Sequence, residues 1–155
     1  MDPTVISGLL KRIYTSFDMS SFQDRIKLQK TFYLMQEFGL NLGYGFSLYL
    51  HGPYCTELTR EAFHITNFKE AKEIEFSIPE YEKKFKLFLK LIEPFKNDPE
   101  WLEMASTIMI FKRLKPSAKE EDIIKEVINK HEEWKDNTKK LNDIMKILKE
   151  WKLYA

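Results

Sequence analysis

The sequence of 155 residues has one cysteine, five glycines, six prolines and a net charge of only +1. Each scarcity removes a class of protein. Cys55 has no second thiol, so no internal disulfide braces the fold, and a reducing, cytoplasmic setting is the expectation. The longest nearly apolar run, Met104 to Phe111, is far short of the ~20 residues a membrane-spanning helix needs, so no membrane association is expected. Met1 to Leu10 carries Asp2 where a signal peptide is basic and lacks an extended apolar centre, so no leader is expected.

Charge of one sign is also missing locally. Residues 1–70 hold 7 basic and 7 acidic side chains, 71–115 hold 9 and 8, and 116–155 hold 9 and 9. A nucleic-acid binder concentrates its basic residues, so this evenness argues against a nucleic-acid partner. Reaction motifs are absent too. Gly39, Gly43 and Gly45 are not followed by a Gly-Lys-Ser/Thr phosphate loop, and there is no Gly-x-Ser-x-Gly elbow. His131-Glu132-Glu133-Trp134-Lys135 has lysine where a zinc protease needs its second histidine, and three histidines with one thiol make a poor metal set. No catalytic, cofactor-binding or metal-ligating residue is assigned.

What is present is a soluble, globular composition, 43% hydrophobic and 32% charged, at the length of one domain. The most legible stretch runs from Ser21 to Leu58. Ser21 can cap a helix and Gly39 can end it, which predicts a helix from about Phe22 to Phe38. Its apolar residues fall on three sides: Leu28, Phe32 and Met35; Leu34 and Phe38; Phe22, Ile26 and Tyr33. Such a helix is buried on most of its faces. A turn-rich link follows, then Phe46, Leu48 and Leu50 alternate with Ser47, Tyr49 and His51 as a half-buried strand does. Gly52-Pro53 is expected to stop that strand and start a short helix from about Pro53 to Phe63.

Lys27-Leu28-Gln29-Lys30, then Phe32-Tyr33-Leu34, a glycine-rich loop, a short aromatic strand and Gly52-Pro53-Tyr54 together resemble the Panacea domain of SocA-like antitoxins. They resemble the YwgA-type proteins of bacteria and archaea more closely. The resemblance covers about the first half of the chain, and Gly52-Pro53-Tyr54-Cys55 departs from the commoner antitoxin pattern, in which a small apolar pair follows the proline. It implies a partner-binding protein in a toxin–antitoxin or related regulatory setting, so an as yet unidentified, toxin-like protein is the implied partner.

Elsewhere, Asp2-Pro3 opens a first helix with Val5, Ile6, Leu9, Leu10, Ile13 and Phe17 on its apolar face. Ile74, Phe76 and Ile78 alternate with Glu73, Glu75 and Ser77, predicting a second strand paired with Phe46 to His51. Pro79 begins a long helix with Tyr81, Phe85, Phe88, Ile92 and Phe95 on one face. Glu100 to Leu114 reads as a core helix, Lys119 to Trp134 as the next, and Asp136 as the cap of a last helix striped by Leu141, Ile144, Leu148 and Trp151. The predicted fold is mainly α with a small two-stranded β ribbon (α+β), a single compact helical domain.

Several groups invite a functional reading. Cys55 near His51 could be a helix-activated nucleophile, though packing is the commoner role of a lone cysteine. Tyr33, Tyr44, Tyr49 and Tyr54 gather four phenols that serve either an interface or local backbone groups. Arg25, Lys27 and Lys30 could contact an acidic partner or a phosphate, but they point to three sides of their helix and read more simply as charges that are solvated or paired with neighbours. Lys135, Lys139, Asn142, Lys146 and Lys149 line the back of the last helix, with Asp143 placed to pair with Lys139. The leading expectation is a non-enzymatic protein-interaction module whose partner surface is Tyr49, His51, Gly52, Pro53 and Tyr54. A helix-turn-helix DNA-binding regulator built from the last three helices is the alternative. The sequence leaves the oligomeric state open.

Overall fold

A computed structural model describes residues 1–153. Among them the order is α1 (Pro3–Ile13), α2 (Phe22–Glu37), β1 (Ser47–Tyr49), β2 (Gly52–Tyr54), α3 (Thr56–Ala62), α4 (Pro79–Ile92), α5 (Pro99–Leu114), α6 (Glu120–Lys130) and α7 (Thr138–Glu150). Single 3₁₀ turns lie at Phe68–Glu70 and Glu132–Trp134. The protein is a mainly helical α+β fold with one small antiparallel ribbon. No helix among the described residues is long and apolar enough to cross a membrane.

The centre is the pair α2 and α5, which pack on each other more extensively than any other two elements. Ser21 caps α2, its hydroxyl accepting from Asp24 N–H, and Asp98 caps α5 by accepting from Trp101 N–H. Every residue of α2 from Leu28 to Met35 is buried, as is every one of α5 from Met104 to Phe111. Helices apolar on several sides have nowhere to turn a polar face, so they take the middle and the other helices surround them. Leu141, Ile144, Leu148 and Trp151 are buried as their stripe predicts.

The predicted strand from Glu73 to Ile78 does not form, and β1 pairs instead with β2 in the register Ser47–Tyr54, Leu48–Pro53, Tyr49–Gly52. The cause lies in the partners of the 73–78 backbone. Ile74 N–H donates to Gly8 O at 3.4 Å, Ile74 O accepts from Arg12 Nη1 at 3.1 Å, and Phe76 N–H donates to Glu82 Oε1 at 2.9 Å. Arg12 and Glu82 hold each other through two 2.6 Å hydrogen bonds, which draws the Glu82 carboxyl below the usual carboxylate range. The segment is thus fastened by α1 and by side chains. A Cβ on Gly8 would come within 2.5 Å of Ile74 Cγ1, so glycine there makes the close approach possible.

Four boundaries also differ from the sequence reading. The helix expected from Pro53 begins at Thr56, because Gly52 to Tyr54 are taken by β2. Phe17 joins the core from beyond the end of α1. The helix expected to reach Trp134 ends at Lys130, although His131 and Trp134 stay buried and stacked 4.2 Å apart. Asn137, not Asp136, flanks the start of α7, and no side chain caps it.

Candidate functional site

The hairpin β1–β2 is held against α2 and α5 by polar side chains from both. Proline has no N–H, so Leu48–Pro53 must be the non-hydrogen-bonded pair of this ribbon, flanked by the bonded pairs Ser47–Tyr54 and Tyr49–Gly52. The carbonyl of Pro53 therefore faces away from β1, where Lys30 Nζ donates to it at 2.6 Å. One residue earlier on α2, Gln29 spans the backbone of Cys55: its Oε1 accepts from Cys55 N–H at 2.8 Å and its Nε2 donates to Cys55 O at 2.9 Å. On the α5 side, His51 Nδ1 lies 2.8 Å from Glu103 Oε1. Gly52, at φ +85°, sits so close to α5 that a Cβ would fall 2.5 Å from Thr107 Oγ1.

Lys27 to Lys30 on α2 and Gly52 to Cys55 thus meet in space. Their polar residues hold the hairpin and the start of α3. Lys30 is the costliest of them, only 2% exposed, and burial pushes its ammonium down to about 8 while nearby Glu103 opposes the shift. Glu103 in turn is raised above the usual carboxylate range by burial, with His51 the strongest opposing influence. The reading of Lys30 as a solvated charge is corrected accordingly. Arg25 donates to Met19 O and lies over the Phe22 ring, and Lys27 lies over Tyr14.

The five residues expected at a partner surface divide. Gly52 and Pro53 are buried in the fold, whereas Tyr49, His51 and Tyr54 present side-chain surface. Tyr49 and Tyr54 meet edge to face at 5.4 Å, and His51 meets Phe22 the same way at 5.3 Å. The four phenols do not form one cluster: the Tyr44 hydroxyl donates to Glu61 at 2.8 Å, and Tyr33 packs edge to face on Phe46. Cys55 is buried at the start of α3, with its backbone bound by Gln29, which is a packing role. Among the described residues no group of three or more His, Cys, Asp or Glu side chains is placed to hold a metal ion.

Beside the hairpin a groove of about 530 Å³ runs between the start of α2 and α3. Phe22, Ile26, Tyr54 and Phe63 give it apolar walls, and Arg25, Lys30 and His51 are its basic residues. Large apolar surface is exposed around it: Phe22 is 49%, Tyr49 52%, Leu50 78% and Phe63 57% exposed. Sequence reasoning found Tyr49, His51 and Tyr54 but missed Phe22, Phe63, Gln29 and Glu103. For Gln29 the available signal was α2 itself, because a helix apolar on three sides must bury its polar residues too, and each buried polar group needs a partner.

Compared with protein-family models, curated proteins and solved structures, the chain matches none.

Proposed function

We propose that the protein is a non-enzymatic interaction module that docks a protein partner on the hairpin tip and the adjoining groove rim. One observation carries this reading: Tyr49, Leu50, Phe22 and Phe63 stand exposed around a hairpin that Lys30 holds at the Pro53 carbonyl and Glu103 at the His51 ring, with Gln29 fixing the backbone of Cys55 just beyond it. Exposed apolar side chains on a rigid base suit binding, since little conformational freedom is lost when a partner covers them. The resemblance to the Panacea and YwgA-type families implies a toxin-like partner, and a toxin-like reading frame beside this gene would support it.

The test begins with capture from the native host by the immobilised full chain, followed by identification and purification of the partner. With that partner, the Tyr49→Ala/Tyr54→Ala double variant is expected to lose binding while melting at the wild-type temperature. Should the double variant melt lower, Leu50→Asp decides between lost binding and lost fold, because Leu50 is 78% exposed and contributes little to the core. Normal binding by a folded variant places the interface elsewhere and overturns the reading.

A further inference from the structure

We propose that the groove between the start of α2, the hairpin and α3 receives an acidic, apolar peptide segment of a protein partner. One aliphatic or aromatic side chain of the segment enters between Phe22, Ile26 and Phe63, and a neighbouring carboxylate pairs with Arg25. This rests on the reading that the hairpin face binds a protein.

Charge complementarity names the occupant. Among the described residues no aspartate or glutamate lines the groove, and its basic lining residues are Arg25, Lys30 and His51. Glu103 lies behind His51, bonded to it. Lys30 is sealed beneath the hairpin with Pro53 O as its acceptor, so its charge acts through the groove wall and not by contact. Arg25 sits at the groove edge, only partly buried. One of its terminal nitrogens is fixed by Met19 O at 2.7 Å, which aims the guanidinium, and its fork has further N–H groups that match a carboxylate. An apolar trough with so few cations suits a carboxylate beside a hydrophobic side chain. It does not suit a phosphate backbone, which needs a row of cations.

Size and surroundings favour a peptide over a free small acid. A volume of about 530 Å³ takes one or two side chains, yet exposed apolar surface continues past the groove onto Tyr49 and Leu50, farther than a small ligand reaches. A peptide crossing from the groove to the hairpin tip covers both.

The experiment pans a phage library of random dodecamer peptides against the full chain and measures the enriched sequences as fluorescein-labelled peptides by polarisation. Enrichment of Asp or Glu beside Phe, Leu or Trp is expected. Replacing that acid in the peptide by its amide is expected to weaken binding about tenfold, and so is Arg25→Gln, while Phe63→Ala weakens it through the apolar half. Because Arg25 also holds Met19 O, the peptide-side change reads the charge pair even where Arg25→Gln lowers the melting temperature. Four results overturn the proposal: no enrichment, enrichment of neutral or basic peptides, affinity indifferent to the peptide's acid, or octanoate binding as tightly as the peptides. If the purified partner loses binding to Leu50→Asp but keeps full affinity for Arg25→Gln, the interaction reading stands and the acidic segment alone fails.

Discussion

At the scale of single residues, Lys30 shows how a buried charge can be spent on architecture. Its ammonium is held by Pro53 O, a carbonyl turned toward α2 because proline occupies the non-bonded position of the ribbon. Burial brings its pKa from 10.5 down to about 8. Below pH ~8 the lysine is charged in both folded and unfolded chains, and the full desolvation cost opposes folding. Between about 8 and 10.5 the unfolded chain holds the proton and the folded protein releases it, so stability rises with pH through that window. In urea melts from pH 7 to 10, wild type is therefore expected to gain stability relative to Lys30→Met as the pH passes 8. The buried tyrosines are common to both proteins and cancel in the difference. A difference that stays flat across the window would mean that Lys30 is solvated in the folded protein.

At the scale of elements, stability concentrates where α2 lies on α5. Leu28 is fully buried on α2 and Ile108 on α5, so Leu28→Ala is expected to cost about 2–5 kcal/mol in urea melts, as a large-to-small core change does. A loss below ~1 kcal/mol would mean that α2 does not occupy the centre. The central place of both helices was legible in the sequence, because the cap at Ser21 and apolar residues on several sides are local signals. The ribbon was only half legible. Alternation found β1 but also marked 73–78, whose backbone bonds go to Gly8, Arg12 and Glu82, residues whose involvement no local pattern announces. In the exposed half of the candidate site, Tyr49 and His51 followed from the same alternation, and Tyr54 from its place beside Gly52-Pro53 among the neighbouring phenols. Its supporting half did not, since Gln29, Lys30 and Glu103 look like ordinary polar helix residues until both helices are placed in the core.

At the scale of the whole molecule, the even distribution of charge in the sequence persists in space as pairing. Along α7 and its neighbours, Lys139 faces Asp143 at 3.6 Å, Lys140 faces Glu100 at 2.9 Å and Lys149 faces Glu120. Each pair adds little stability at the surface, but each sets an acidic charge beside a lysine that a polyanion would otherwise meet. The geometry of the last helices points the same way, because residues 131–137, including a 3₁₀ turn, separate α6 from α7, longer than the 3–4 residue turn typical of a helix-turn-helix. Phosphate contacts supply most non-specific affinity and act through unpaired cations. Mobility-shift titrations of a random-sequence duplex at about 0.15 M salt are therefore expected to give no sub-micromolar complex. Lys139 is the sensitive probe, since its side chain is 94% exposed and its bond to Asp143 is the longest of these three. Sub-micromolar binding that weakens in Lys139→Ala and Lys146→Ala would make the back of α7 a nucleic-acid face, and the DNA-binding regulator would then displace the protein-interaction module as the reading of this molecule.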